Sequence, residues 1–403
     1  MTDTRSAAPP RALQRARAAV AACFFLNAVF YADLVPRLPE IKADLGLSNA
    51  SLGAALAALP LGALLAALSS APLIRRFTSA RVASFGLVAL GLALWAVAVA
   101  PSWPALAAAL FVAGALDAVI DVAQNAHGLR VQRLYGRSIL NGLHGLWSIG
   151  AVTGGLLGSV AAGLEIPLVL HLGASAVVFG AVALLAYGWL LPGADDAERE
   201  AEEVDAPAGG VGRPGRRSIV LGLTALGILA ACGAFVEDAG ASWSALYLRT
   251  ELGAGAALAG LGFVALQGAM TVGRLTGDRV VDRYGQRLVV QVGGAMTAAG
   301  MGLALAFPSV ATTLVGFALA GLGVATLVPA VYHAADELPG LRRGTGLAVI
   351  NWLLRIGFLL SPPVIGVLAD ATSLRVALLA VVVAGLGALV LGRALGARPA
   401  AAV

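Results

Sequence analysis

Charge is what this 403-residue chain has least of. Only 12% of its residues are Asp, Glu, Lys or Arg, while 59% are hydrophobic. A soluble domain carries about 25% charged residues, so there is too little polar surface here to cover a globule in water. Cysteine is scarce as well. Cys23 and Cys232 both lie in apolar runs, which argues against a disulfide framework or a thiolate metal cluster. The four histidines are scattered without close Cys/His spacing, so no metal site is expected. No nucleophile–base pair stands out, so an enzyme is not expected and no cofactor is assigned.

What the chain has is apolar runs. A spanning helix needs about 20 mainly apolar residues. Runs of that kind lie near 17–36, 50–71, 80–100, 103–129, 138–163, 166–191, 218–247, 255–277, 287–306, 309–334, 345–369 and 373–395. The fold class expected is an all-α membrane protein with twelve transmembrane helices in two six-helix halves, 1–191 and 218–403. Between them, 192–217 is rich in Asp, Glu, Gly and Pro and reads as a solvated linker. Val20-Ala21-Ala22-Cys23 resembles a lipoprotein cleavage site, but the long apolar run follows it, so an uncleaved first helix is expected.

The net charge of +5 raises the question of nucleic acid, and its placement answers otherwise. Arginines gather before the first run and after the second, fourth, sixth, eighth, tenth and twelfth. Examples are Arg75 and Arg76, Arg130, Arg133 and Arg137, Arg213, Arg216 and Arg217, Arg342 and Arg343, and Arg398. The opposite loops hold Arg37, Lys42, Arg249 and Arg375, partly balanced by Glu40, Asp44 and Glu251. This positive-inside pattern predicts that both termini and the linker are cytoplasmic. Small residues at i, i+4 and i+8 in the fifth run (Gly150, Gly154, Gly158) read as close helix packing.

The segment after the eighth run, Gly273 to Arg287, contains Asp278, Arg279, Asp282, Arg283, Gly285 and Arg287. It resembles the loop signature of the major facilitator superfamily, in which such carboxylates and arginines form a gating clamp. Gly285 suits a tight turn. In the first half, Leu73 to Ser79 is a degraded counterpart, with Arg75 in place of the aspartate and Thr78 in place of the glycine.

Four acids lie inside apolar runs: Asp117, Asp121, Glu237 and Asp238. Intramembrane carboxylates are costly, and they usually line a solute path or carry protons. Asp117, Asp121 and Asn125 recur at i, i+4, i+8 and form one polar stripe. Two carboxylates one turn apart in low dielectric do not both ionise comfortably, which suits proton carriage. The alternative is that Asp121 or Asn125 bonds a neighbouring helix near the boundary. Asp121-Val-Ala-Gln-Asn125, then Leu140-Asn141-Gly-Leu-His144-Gly-Leu-Trp147-Ser-Ile-Gly150, resembles the fucose–proton symporter branch of that superfamily. The resemblance implies proton coupling at Asp121, with Asp117 sharing or tuning the proton, and substrate contact at His144. His144 and Trp147 stand where the sugar transporters carry amides.

Phe235 to Leu248 is similar to the same branch in its seventh helix, and places Glu237 and Trp243 among the substrate contacts. Trp243 alternatively suits an interfacial aromatic belt. Asp238 has neither stripe nor counterpart. In the eleventh run Asn351 and Arg355 lie one turn apart, and Arg355 needs a partner: Glu237, Asp117 or an anionic substrate. Asn27 and Asn125 complete the expected cavity, while His171, Gln267 and His333 are assigned to packing or boundaries.

The function expected is proton-coupled secondary transport of a small polar or anionic solute by alternating access. The alternatives are a proton-driven efflux antiporter for drugs or secondary metabolites and a membrane sensor that transports nothing. The expected partners are the solute, protons and membrane lipid, with no nucleic acid and a monomeric protein.

Overall fold

The computed structural model describes residues 11–136, 138–193, 216–336, 338 and 345–395. Residues 194–215 of the expected linker, together with Arg137, Arg342, Arg343 and Arg398, lie outside the described residues.

Twelve helical spans are long and apolar enough to cross a membrane: α1 (Arg11–Asp44), α2 (Asn49–Phe77), α3 (Ser79–Ala98), α4 (Trp103–Tyr135), α5 (Leu140–Gly163), α6 (Leu168–Tyr187), α7 (Ile219–Thr250), α8 (Ala256–Tyr284), α9 (Gln286–Ala306), α10 (Val310–Ala335), α11 (Val349–Ala371) and α12 (Leu374–Ala394). No strand occurs among the described residues. The protein is therefore an all-α, multi-pass membrane protein of two six-helix halves. In hydrocarbon every backbone N–H and C=O must be satisfied within the protein, and helices achieve this within one segment.

Several spans are not single straight helices. α1 tightens into a 3-10 turn at Val35–Arg37 and continues as Leu38–Asp44. Pro36 and Pro39 each fall at the start of a new helical segment, where a missing amide N–H costs no hydrogen bond. α4 and α8 run past the ends of their apolar stretches, to Tyr135 and Tyr284. Consequently Asp278, Arg279, Asp282 and Arg283 lie on the last turns of α8 and Arg287 in the first turn of α9, rather than in a loop. The connection itself is Gly285, at φ 81°.

Helix packing follows the small residues. Gly150, Gly154 and Gly158 of α5 rest on the carbonyl oxygens of Phe25, Val29 and Asp33 of α1. A Cβ at any of the three would overlap the oxygen it faces. Without a hydrophobic driving force between helices in lipid, such close approach supplies the association through dispersion contacts.

Because successive spans alternate direction, α2 and α8 both end on the side where α1 begins, called here the basic face. The halves meet on the other face. Asp370 at the end of α11 accepts hydrogen bonds from the backbone N–H groups of Asn49 and Ala50, at 2.9 and 2.8 Å, and so caps the start of α2. Just inside, Gly53 packs against the carbonyl of Pro362, with no room for a side chain between them. Pro36 and Ser159 of the first half cover Gly260 of α8.

The same face carries a buried ionic chain within the first half. Asp33 is fully buried, accepts from Ser175 Oγ at 2.5 Å and lies 2.9 Å from His171 Nε2. Arg37 is only 1% exposed. It reaches His171 Nδ1 at 3.2 Å, the carbonyl of Ile166 at 2.7 Å and Glu40 Oε2 at 2.6 Å. An arginine can only donate, so His171 Nδ1 is the acceptor of the Arg37 bond. His171 is thus a structural link at this face.

Candidate functional site

Midway between the faces, the two halves enclose a cavity of about 270 Å³. Its walls come from α1, α2, α3, α4 and α5 on one side and from α7, α8 and α11 on the other. Most of the lining is apolar, and the strongly polar groups are few: Asn27, Asp117, Glu237, Asp238, Gln267 and Arg355.

Asp117 is held by its own half. Asn27 Nδ2 donates to Asp117 Oδ1 at 2.7 Å, and Trp147 Nε1 donates to Asn27 Oδ1 at 3.0 Å. The three form a chain of donors running indole, amide, carboxylate, in which each bond polarises the next. Asn27 is 4% exposed, so the chain has one fixed geometry.

Asp121 lies one turn further toward the basic face and does not line the cavity. It is exposed and accepts from Asn125 Nδ2 at 3.1 Å and Gln124 Nε2 at 3.4 Å. His144 of α5 and Arg355 of α11 both act on it electrostatically, so it faces the space between the halves. His144 is likewise exposed and stacks edge-on against Phe24, with ring centroids 5.2 Å apart. Contacts between the halves close the Asp370 side, while Asp121 and His144 are exposed on the side of the basic face. Asp278, Arg279, Asp282 and Arg287 on that face make no ion pair with the described residues, and Arg283 lies over the Tyr284 ring.

The second half departs from the expectation at several points. Glu237 pairs with Arg274 of α8, at 3.4 Å, and not with Arg355. Arg355 lines the cavity and forms no hydrogen bond or ion pair with the described residues. Asn351 accepts from Tyr332 Oη at 3.2 Å and lies outside the cavity lining. Trp243 is neither a cavity residue nor part of an interfacial belt: it is fully buried in the helix core. In this state its indole has no edge exposed to solute or headgroup.

Asp238, read as lacking support, lines the cavity. Ser242 Oγ donates to its Oδ1 at 3.4 Å, so an i, i+4 polar pair was present in the sequence. Tyr31, Trp147 and Gln267 are further lining residues that the sequence reading did not select. Tyr31 stands four residues after Asn27, on the same face of α1, and that spacing was its one available signal.

The profile of the Major Facilitator Superfamily matches residues 20–237 and 223–402. Among curated proteins, the membrane protein MosC of Rhizobium meliloti is 30% identical over 368 residues, covering 91% of this chain and 87% of its own. Among solved structures, the nucleoside transporter NupG aligns with a TM-score of 0.71 at 14% identity, covering 94% of this chain and 97% of NupG. The E. coli fucose:proton symporter FucP aligns with a TM-score of 0.60 at 18% identity, covering 95% of this chain and 99% of FucP. These structures share the fold; the profile, which spans nearly the whole chain, carries the family assignment. The chain belongs to the Major Facilitator Superfamily and is a transporter rather than an enzyme.

Proposed function

We propose that this transporter couples movement of a small polar or anionic solute to protons, by alternating access across a bacterial inner membrane. The observation that carries the reading is the company of Arg355. One cavity holds an arginine with no ion-pair partner among the described residues and a part-buried carboxylate, Asp117, on the opposite half. A half-buried cation that reaches Asp117 and Asp121 only at longer range is costly in an apolar cavity, and an anionic group on the solute would offset that cost. Asp117 lines the same space, with Asp121 one turn nearer the basic face. A proton entering from the basic face would meet Asp121 first and Asp117 second.

In this reading residues 1–191 and 218–403 rock as units, joined by 192–217, with the basic face and both termini in the cytoplasm. The protein works as a monomer in lipid. Solute contacts come from Asn27, Asp117, Glu237 and Arg355 in the cavity. Asn125 and His144 contribute on the approach, and the charges at the α8–α9 turn close the basic face in the alternate state. Its structural neighbours include a nucleoside transporter and a fucose:proton symporter. Nucleosides and fucose are small and polar, which agrees with this choice of class.

The test begins with thermal-shift screening of sugars, small organic acids and antibiotics, followed by transport in proteoliposomes with the compound found. Asp117→Asn should lower pH-gradient-driven accumulation at least about tenfold, the equivalent of 1.4 kcal/mol of lost coupling, while equal-pool exchange continues. Undiminished uphill transport by that variant would refute proton coupling through this site. The largely apolar lining favours a second reading, drug or metabolite efflux, which predicts accumulation in the opposite direction.

A further inference from the structure

We infer that Asp238 is a second proton-binding carboxylate, contributed by the C-terminal half and facing Asp117 across the cavity. The inference rests on the proton-coupled reading above and concerns where a further proton is held.

Glu237 and Asp238 are consecutive on α7 but serve different partners. Glu237 turns to Arg274. Asp238 turns into the cavity, where Ser242 Oγ meets its Oδ1 while Oδ2 is buried with no hydrogen-bond partner among the described residues. The cations nearby do not compensate it: Arg274 is engaged by Glu237, and Arg355, on the same cavity wall, makes no ion pair with it. The other polar neighbours are the Ser361 hydroxyl of α11 and, from the first half, the Tyr31 phenol. A bare carboxylate oxygen in that setting costs several kcal/mol, and a proton on Oδ2 removes the charge at least cost.

Asp117 offers the contrast that gives the arrangement its use. Its Oδ1 is already satisfied by Asn27, so its need for a proton differs from that of Asp238. Tyr31 of α1 lines the same cavity and lies within electrostatic reach of both acids, which belong to halves that move apart on rocking. A phenol can donate to one oxygen while accepting from another, which lets the bound proton be shared in one state and separated in the next. The balance is simple: one proton is taken from water onto Oδ2 on one side and returned to water on the other, with no other bond made or broken.

The experiment needs no solute. Full-length protein in E. coli polar-lipid vesicles is titrated, and the carboxylic-acid C=O stretch is followed by infrared difference spectroscopy. Wild type should show titrating carboxyl bands; Asp238→Asn should remove one and Asp117→Asn another. Asp238→Glu should move the first band rather than remove it, and it serves as the folded control if the Asn variant is unstable. If every titrating band survives in both Asp238 variants and one is lost in Asp117→Asn, the inference falls and proton coupling stands. If no carboxyl band titrates in wild type, both fall together.

Discussion

Between α2 and α3 the chain turns at Thr78 with φ 74° and ψ 150°; between α8 and α9 it turns at Gly285 with φ 81° and ψ 150°. The two turns occupy equivalent places in the two halves and have the same backbone. At these angles glycine is close to obligatory, and a β-branched residue is strained by about 1–3 kcal/mol. The first half therefore adopts the geometry of the repeat without the residue that makes it easy. The polar parts differ in the other direction. At the far end of the first half, Ser175, Asp33, His171, Arg37 and Glu40 form a continuous chain, buried at Asp33 and Arg37 and reaching the surface at Glu40. At the corresponding corner of the second half, Arg375 donates to the carbonyls of Leu305 and Ala306, and Glu251 accepts from the Leu374 amide. One half is braced by side chains and the other by links to backbone. The halves match as a path of the chain and not as a set of interactions.

The sharpest way to break that comparison is at the two arginines. Arg37→Met leaves the Ile166 carbonyl and His171 Nδ1 buried without a donor, and should cost about 3 kcal/mol of stability. Arg375→Met removes hydrogen bonds near the surface and should cost about 1 kcal/mol. Thermal unfolding of both variants in detergent decides the matter; equal losses would show that the halves are braced alike. Next in size, Gly285→Thr should destabilise by about 2 kcal/mol, because the second half would then carry the strain the first already carries. The smallest effect runs the other way. Thr78→Gly relieves that strain but adds backbone freedom to the unfolded chain, for a net gain of about 1 kcal/mol. A loss on Thr78→Gly, in the same unfolding measurement, would mean that the Thr78 side chain compensates its own backbone.

The spans were legible because apolar run length reports membrane thickness directly. Their ends were not, and α8 shows why. Hydropathy falls at Asp278 and Arg279, yet charged residues continue a helix into water as readily as apolar ones continue it in lipid. The charges read as a gating loop therefore sit on helix. Within the cavity, Asn27, Asp117, Glu237 and Arg355 stood out as polar letters in apolar text, and all four line it. Aromatic residues gave no such signal. Trp147, Tyr31 and Trp243 look alike in sequence, but only packing sends the first two to the cavity and the third into the core. Arg355 posed a choice of partners that spacing could not decide, since the competing Arg274 lay on another helix. Asp238 has neither stripe nor family counterpart in the sequence, and Ser242 one turn away is the signal that marks it.

The bond from Asp370 to the first amides of α2 bears on how this molecule changes state. Both sides of that contact, a carboxylate and two free amide N–H groups at a helix start, are groups that water solvates well. Parting them trades one set of hydrogen bonds for another, in contrast to the dry backbone contact of Gly53 just inside. The outermost seal is thus reversible by hydration, and ions or denaturants that compete for amides should loosen it before they touch the rest of the fold. The contact between the halves at this face is fastened where water can help undo it.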